Sequence, residues 1–254
     1  MNSIANRLIT LNVPQGSLAV CFIGQAGVII KTPAGELAGI DLYLSDCCNR
    51  FFGFKRLMPK LLSPDELEFD FVISTHAHYD HFDPDSIPPL LEPEKTRFIG
   101  ALDCKEECEK LGIPENKCIW LEKQRTVRAG SMHITATTCD HGPHTPHAVG
   151  LCIECSGKRV VIAGDTCYRE EIAIELGELR ADIMFAPING MFGNLNEAQA
   201  AQFFSIAKPK LAVPCHYWNF AEHHGDPGIF KDEMTSKYPN QPFRLMAMGE
   251  ILII

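Results

Sequence analysis

Between Phe71 and Asp83 the chain reads "FVISTHAHYDHFD": an apolar run ends, and His76, His78, Asp80 and His81 follow within six positions. Imidazole and carboxylate are the usual ligands of hydrolytic divalent ions, whereas thiolates favour structural clusters. A sharp turn at a strand end lets His76 and His78 converge on one ion and leaves Asp80 and His81 within reach of a second. Three later segments add to the set. "TCDHGPHTPHAVG" offers His141 after a strand, "VVIAGDTCY" ends a buried strand with Asp165, and "LAVPCHYWNF" ends another with His216. Asp165 is a carboxylate suited to bridging two cations. Seven ligands from four strand ends fill two adjacent sites and leave room for a shared water.

Two neighbouring ions suit hydrolysis, because a water they share is acidified towards neutral pH. One of them also polarises a carbonyl or phosphoryl oxygen and stabilises the charge developing there. Asp80 is the candidate to orient that water or accept its proton, and Tyr168, close to Asp165, is the candidate donor to the leaving oxygen. Other histidines read differently. His144 is the alternative third ligand should His141 not serve, His147 shares its Pro-rich loop, and His133 lies within a strand. "GQAG" at 24–27 reads as a tight turn or bulge.

The elements that must position these groups follow from the hydrophobic pattern. Strand signals are "SLAVCFIGQAGVIIK", "GIDLYL", "FDFVIST", "TRFIG", "KCIWL", "TVRAG", "SMHITATT", "AVGLCIEC" and "KRVVIAG". Helix and strand then alternate: "REEIAIELGEL", "ADIMFAP", "NEAQAAQFFSIAK" and "KLAVPCH", then a helical "GDPGIFKDEMTSKY" and a terminal strand in "FRLMAMGEILII". "DSIPPLLEP" and "CKEECEKLG" supply short helices. Strands interleaved with helices over this length predict two sheets with helices packed outside, an α/β sandwich.

At 254 residues, with 46% apolar and 22% charged residues, the chain fits one soluble domain over 1–254. The net charge of -9 argues against a broad nucleic-acid footprint, which needs clustered Lys and Arg. No apolar run approaches the ~18 residues of a membrane span, and "MNSIANRLITLNVP" lacks the apolar core of a secretion signal. Eleven cysteines, an odd number without an export signal, read as reduced thiols in a cytoplasmic protein. Cys104 with Cys108, and Cys152 with Cys155, are expected to pack rather than to bind metal.

The motifs "STHAHYDHFD", "CDHG", "AGDT" and "PCH", in that order over most of the chain, resemble the metallo-β-lactamase fold superfamily. The resemblance implies a four-layer αββα sandwich. It also implies one metal on His76, His78 and His141, a second on Asp80, His81 and His216, and Asp165 as the bridge. Zn, Mn and Fe all suit such ligands. The flanking "GIDLYLSD", "RLMPKLLSPDELEFDFVISTHAHYDHFD", "GDTCY" and "PCHYWNFAEHHGDPGIFKDEM" resemble the L-ascorbate-6-phosphate lactonase-like branch.

The expectation that follows is a lactonase: hydroxide held by two metals attacks the ester carbonyl of a small, phosphorylated, sugar-type lactone. An anionic substrate needs cations near the metals, and Arg50, Lys55, Arg56, Lys60 and Arg169 are the candidates. Asn219 and His223 are further candidate substrate contacts. A homo-oligomer is common for enzymes of this kind. The competing readings are a phosphodiesterase acting on a small phosphodiester, since the same centre can attack phosphorus, and a non-catalytic metal-binding module.

Overall fold

The computed structural model describes residues 3–254. In chain order the first half comprises α1 (Ile4–Thr10), β1 (Ala19–Gly24), β2 (Gly27–Lys31), β3 (Leu37–Ile40), α2 (Cys47–Phe52), β4 (Phe71–Ser74), α3 (Ile87–Leu90), β5 (Arg97–Ala101) and α4 (Cys104–Lys110). Then follow β6 (Cys118–Leu121), β7 (Thr126–Ala129), β8 (Met132–Thr137), β9 (Gly150–Cys155), β10 (Lys158–Ile162) and α5 (Glu170–Glu178). The chain closes with β11 (Ile183–Pro187), α6 (Glu197–Ala207), β12 (Ala212–Cys215), α7 (Pro227–Lys237) and β13 (Glu250–Ile253).

The strands form two sheets, ordered β13-β1-β2-β3-β4-β5-β6 and β12-β11-β10-β9-β8-β7. Alternation along each strand builds three layers of core. Val20 and Phe22 of β1 meet Ile134, Leu151, Val160 and Ile162 between the sheets. Cys21 and Ile23 point outward to Ile4, Leu8, Leu90 and Cys104 of α1, α3 and α4. On the far side, Val161 and Met184 pack against Ile172, Phe203, Phe204 and Phe230 of α5, α6 and α7. The result is the expected four-layer αββα sandwich.

Neighbouring parallel strands need a crossover, and helices supply it. β3, β4, β5 and β6 pair in parallel, as do β10, β11 and β12. Their carboxyl ends therefore share one edge of the sandwich, the usual place for a site in α/β sheets. His76, Asp165 and His216 each lie just beyond such an end.

"SLAVCFIGQAGVIIK" is a hairpin whose tip carries Gln25 at φ +53, with the tight turn expected at 24–27. Two expectations about elements are corrected. "GIDLYL" stops as a strand at Ile40, because Asp41 takes φ +48 and turns the chain. "FRLMAMGEILII" is strand only over Glu250–Ile253; Gly249 at φ +79 breaks the run, and Met246 folds into the core instead. All eleven cysteines are free, and Cys104, Cys108, Cys152 and Cys155 pack as buried side chains. Among the described residues no helix is long and apolar enough to cross a membrane.

Candidate metal centre

The turn that follows β4 is held rigidly. The His78 carbonyl accepts the N–H of His81 at 2.8 Å and of Phe82 at 2.7 Å, so residues 78–82 close like a single helical turn. Ser74 Oγ donates to the His81 carbonyl at 2.9 Å. At the far end the buried Asp83 carboxylate accepts the N–H groups of Leu44 and Ser45 at 2.9 and 2.7 Å, tying the turn to the segment after β3. The later ligands are pinned similarly. Gly164, at φ +69, lies where a Cβ would sit 2.8 Å from the Val149 carbonyl, so only glycine lets β10 turn into Asp165 here. His216 itself takes φ +63, and its N–H donates to the Gln25 carbonyl at 2.7 Å.

These constraints bring the seven histidines and aspartates into one cluster. His76 Nε2 and His141 Nε2 each lie 3.0 Å from His78 Nδ1. Tetrahedral ligands with bonds of ~2.0–2.1 Å stand roughly 3.3 Å apart, so this triplet has the spacing of a metal's ligands. Asp165 reaches to both sides: its Oδ1 is 3.3 Å from His81 Nε2, and its Oδ2 is 3.3 Å from His216 Nε2 and 3.7 Å from His141 Nε2. Asp80 Oδ2 lies 3.2 Å from His216 Nε2 and 3.5 Å from His81 Nε2. Three donor groups, each within 4.8 Å, emerge: His76, His78 and His141; His76, His81 and Asp165; Asp80, His216 and His223.

Burial and mutual charge divide the cluster electrostatically. Burial pushes the imidazoles of His76, His78 and His141 below their ordinary value, leaving neutral lone pairs. Burial opposes charge at His81 and His216 too, but Asp165 and Asp80 outweigh it. His81 is raised well above its usual value and His216 to about 9. Burial alone would raise Asp80 and Asp165, yet the facing histidines hold both well below the carboxylate range. The two carboxylates thus favour positive charge at His81 and His216, a charge that a cation held between them would also supply. Neutral imidazoles, ionised carboxylates and this spacing fit a metal site.

Three supporting residues were not singled out from the sequence. Asp41 Oδ2 accepts from His81 Nδ1 at 2.9 Å and so aims His81 Nε2 into the cluster. Its Oδ1 accepts the N–H of Thr75 at 2.8 Å. Asn194 Nδ2 donates to Asp165 Oδ2 at 2.7 Å. Gln25, which the sequence offers only as part of a turn, sends its Nε2 to within 2.8 Å of Asp80 Oδ2 and 3.0 Å of His223 Nδ1. A long polar side chain in an apolar run was the available signal.

Several expected site residues lie elsewhere. Tyr168 is half-buried and packs against the core under α5, α6 and α7, so it does not line the cavity over the cluster. Arg56 is committed to the carbonyls of Tyr43 and Ser45 and to Asp46, with its guanidinium 4.1 Å over the Tyr43 ring. The Asn219 carbonyl oxygen of the side chain accepts from Arg56, which makes it part of the same brace. Arg169 pairs with Asp140 at 2.9 Å on the surface. Arg50 pairs with Asp85 and Lys60 with Asp46, while Lys55 is an exposed surface residue. His144 is exposed and joins no donor group. His223, expected to touch substrate, stands in the group with Asp80 and His216, 3.9 Å from Asp80 Oδ2.

A cavity of ≈ 360 Å³ opens over the cluster and reaches His78, Asp80, His141, Asp165, His216 and His223. Its remaining wall is Cys48, Phe52, Phe54, Ala77, Tyr79 and Phe192.

The chain has counterparts among known proteins. The chain is 27% identical over 255 residues to a UPF0173 metal-dependent hydrolase of Rubrobacter xylanophilus, covering 93% of this chain and 97% of that protein. A UPF0173 metal-dependent hydrolase of Herpetosiphon aurantiacus is 24% identical over 242 residues, 91% of this chain and 95% of the relative. The solved structure of Igni18, a metallo hydrolase from the archaeon Ignicoccus hospitalis, shares the fold with a TM-score of 0.75 at 22% identity, covering 94% of this chain and 98% of that one. The β-lactamase superfamily domain itself matches residues 42–217, from the segment after β3 to the residue after His216. With a match over most of its length and its histidines at the shared sheet edge, this chain belongs to the β-lactamase superfamily, in the metallo-β-lactamase fold.

Proposed function

We propose that this protein is a metal-dependent hydrolase with a two-ion centre, and that it opens the ester of a small lactone. The observation that carries the reading is Asp165, whose carboxylate approaches His141 of one ligand set and both His81 and His216 of the other. Divalent ions bound there would supply an acidified water and a Lewis acid for the carbonyl. His76, His78 and His141 hold one side of the centre, and His81, aimed by Asp41, holds the other with His216. Asp80, whose carboxylate is fixed by Gln25, faces the cavity as the base nearest an incoming carbonyl. With Tyr168 absent from the cavity lining, we assign proton exchange there to Asp80 and His223. The relatives named as metal-dependent hydrolases support the class of reaction. The ring ester suits a cavity of this size, and the resemblance to lactonases supports that choice among esters.

A neutral lactone is the form proposed, since among the described residues no Lys or Arg lines this cavity, while Lys123 and Arg169 line a neighbouring one that shares His141. The test is acid release in a pH-stat from neutral γ- and δ-lactones, with protein reconstituted with zinc or manganese and a chelator-treated control. Metal-dependent release is the expected result. Hydrolysis of bis(p-nitrophenyl) phosphate, with every lactone left intact, would replace the proposal with the phosphodiesterase reading.

A further inference from the structure

We propose that the substrate carries an uncharged, apolar body, alkyl or aryl, seated on an aromatic wall beside the metal centre. The inference deepens the hydrolase reading and rests on it. The wall is assembled from three separate segments. Phe52 ends α2 and Phe54 follows its Gly53 cap; Tyr79 lies inside the ligand turn; Phe192 comes from the loop after β11. The rings adjoin one another: Phe52 and Tyr79 are 5.7 Å apart between centroids, Phe52 and Phe54 6.0 Å, and Phe54 and Phe192 6.0 Å. The wall then runs into the centre, with Phe192 5.2 Å and Phe54 5.6 Å from His223.

Singly exposed aromatic rings are ordinary, but rings from three loops that meet over a buried polar cluster form a continuous apolar surface. Phe52 and Phe192 are 56% and 53% exposed, so a bound apolar body would remove much of their surface from water. The one hydroxyl in the wall is already used, since Tyr79 donates to Glu107 Oε2 at 3.1 Å. Charge points the same way. Of the cations on the neighbouring segments, Arg50, Arg56, Lys60 and Arg169 are each paired with an aspartate, and Lys55 is exposed outside the cavity lining. An anionic group laid on this wall would give up its hydration with no counter-charge to receive it. A neutral chain or ring gains from the same surface.

The test is calorimetric binding of hydroxamates to the zinc-loaded protein, because their metal-binding head is constant while the body varies. Acetohydroxamate, butyrohydroxamate, hexanohydroxamate and benzohydroxamate form the apolar series, and succinic monohydroxamate supplies the charged comparison. Affinity should rise by up to about fourfold for each methylene that reaches the wall. Benzohydroxamate should bind more tightly than acetohydroxamate, and succinic monohydroxamate more weakly than butyrohydroxamate. Phe192→Ala, an exposed position, should flatten the series. A flat series in the unaltered protein, no binding by any hydroxamate, or tighter binding of the carboxylate-bearing compound would overturn the inference. A rising series with no hydrolysis of any lactone would leave the apolar site standing and remove the lactonase reading alone.

Discussion

The side-chain amide of Gln25 donates to Asp80 Oδ2 at 2.8 Å, across 55 positions of sequence, while the backbone carbonyl of Gln25 accepts the N–H of His216. One residue at a hairpin tip thus fixes two members of the same donor group. Residues that orient metal ligands typically change metal affinity or activity by about 10–100-fold when removed. Gln25→Ala should therefore weaken metal retention in a chelator competition by roughly that factor. Unchanged retention would show that the amide merely fills space.

Asp165 and His144 separate the ligand scheme from its alternative. Asp165→Ala removes the only carboxylate whose oxygens approach His81, His141 and His216 together, and should reduce metal content at both positions. His144→Ala touches an exposed side chain outside the donor groups and should leave metal content unchanged. Elemental analysis of both variants decides; two ions kept by Asp165→Ala and lost from His144→Ala would overturn the assignment.

Asp41 is fully buried and serves three donors, the N–H and hydroxyl of Thr75 and the ring of His81. Asp41→Ala strands all of them, and breaking a buried charged contact from one side is worth about 3–5 kcal/mol. Urea unfolding of the metal-free variant should show a loss of that order. A loss below about 1 kcal/mol would mean that the loop relaxes around the change.

The clustered histidines and aspartates were legible because their segments begin where apolar runs stop, and a strand end is a local signal. The layers were legible for the same reason, since alternation in Val20, Cys21, Phe22 and Ile23 states which side each residue faces. What escaped depends on closure between distant segments. Gln25 gains its role only when the hairpin tip reaches His216, and the wall of Phe52, Tyr79 and Phe192 exists only once three loops meet. The misplacement of Tyr168 has the opposite cause: nearness in sequence to Asp165 says nothing of direction in an extended segment. Arg56 and Arg169 were offered to substrate on charge alone, while Asp46 and Asp140 had prior claim to them.

Metal binding should release protons. In the metal-free cluster, burial opposes charge on His81 and His216, but Asp165 and Asp80 raise both, His216 to about 9. Ions that take the nitrogens displace those protons, so about two should leave per chain at pH 7.5. Calorimetric titration with zinc in two buffers of different ionisation enthalpy measures the number. The sign for stability follows. A histidine raised in the folded state stabilises fully below the ordinary value of 6.5 and loses that contribution as pH rises through about 9. The metal-free protein should accordingly lose thermal stability between pH 7 and 9.5, and the metal-loaded protein should lose less. Zinc uptake without proton release would contradict the charge pattern.

The proposed centre holds two ions and hydrolyses a neutral ester. Metal content and acid release, followed together as zinc is added stepwise to metal-free protein with δ-valerolactone present, test both halves at once. Two ions per chain, acid release that grows as the centre fills, and its loss on adding a chelator are expected. Two tightly bound ions with no acid release from any lactone, or release indifferent to the chelator, would contradict the proposal.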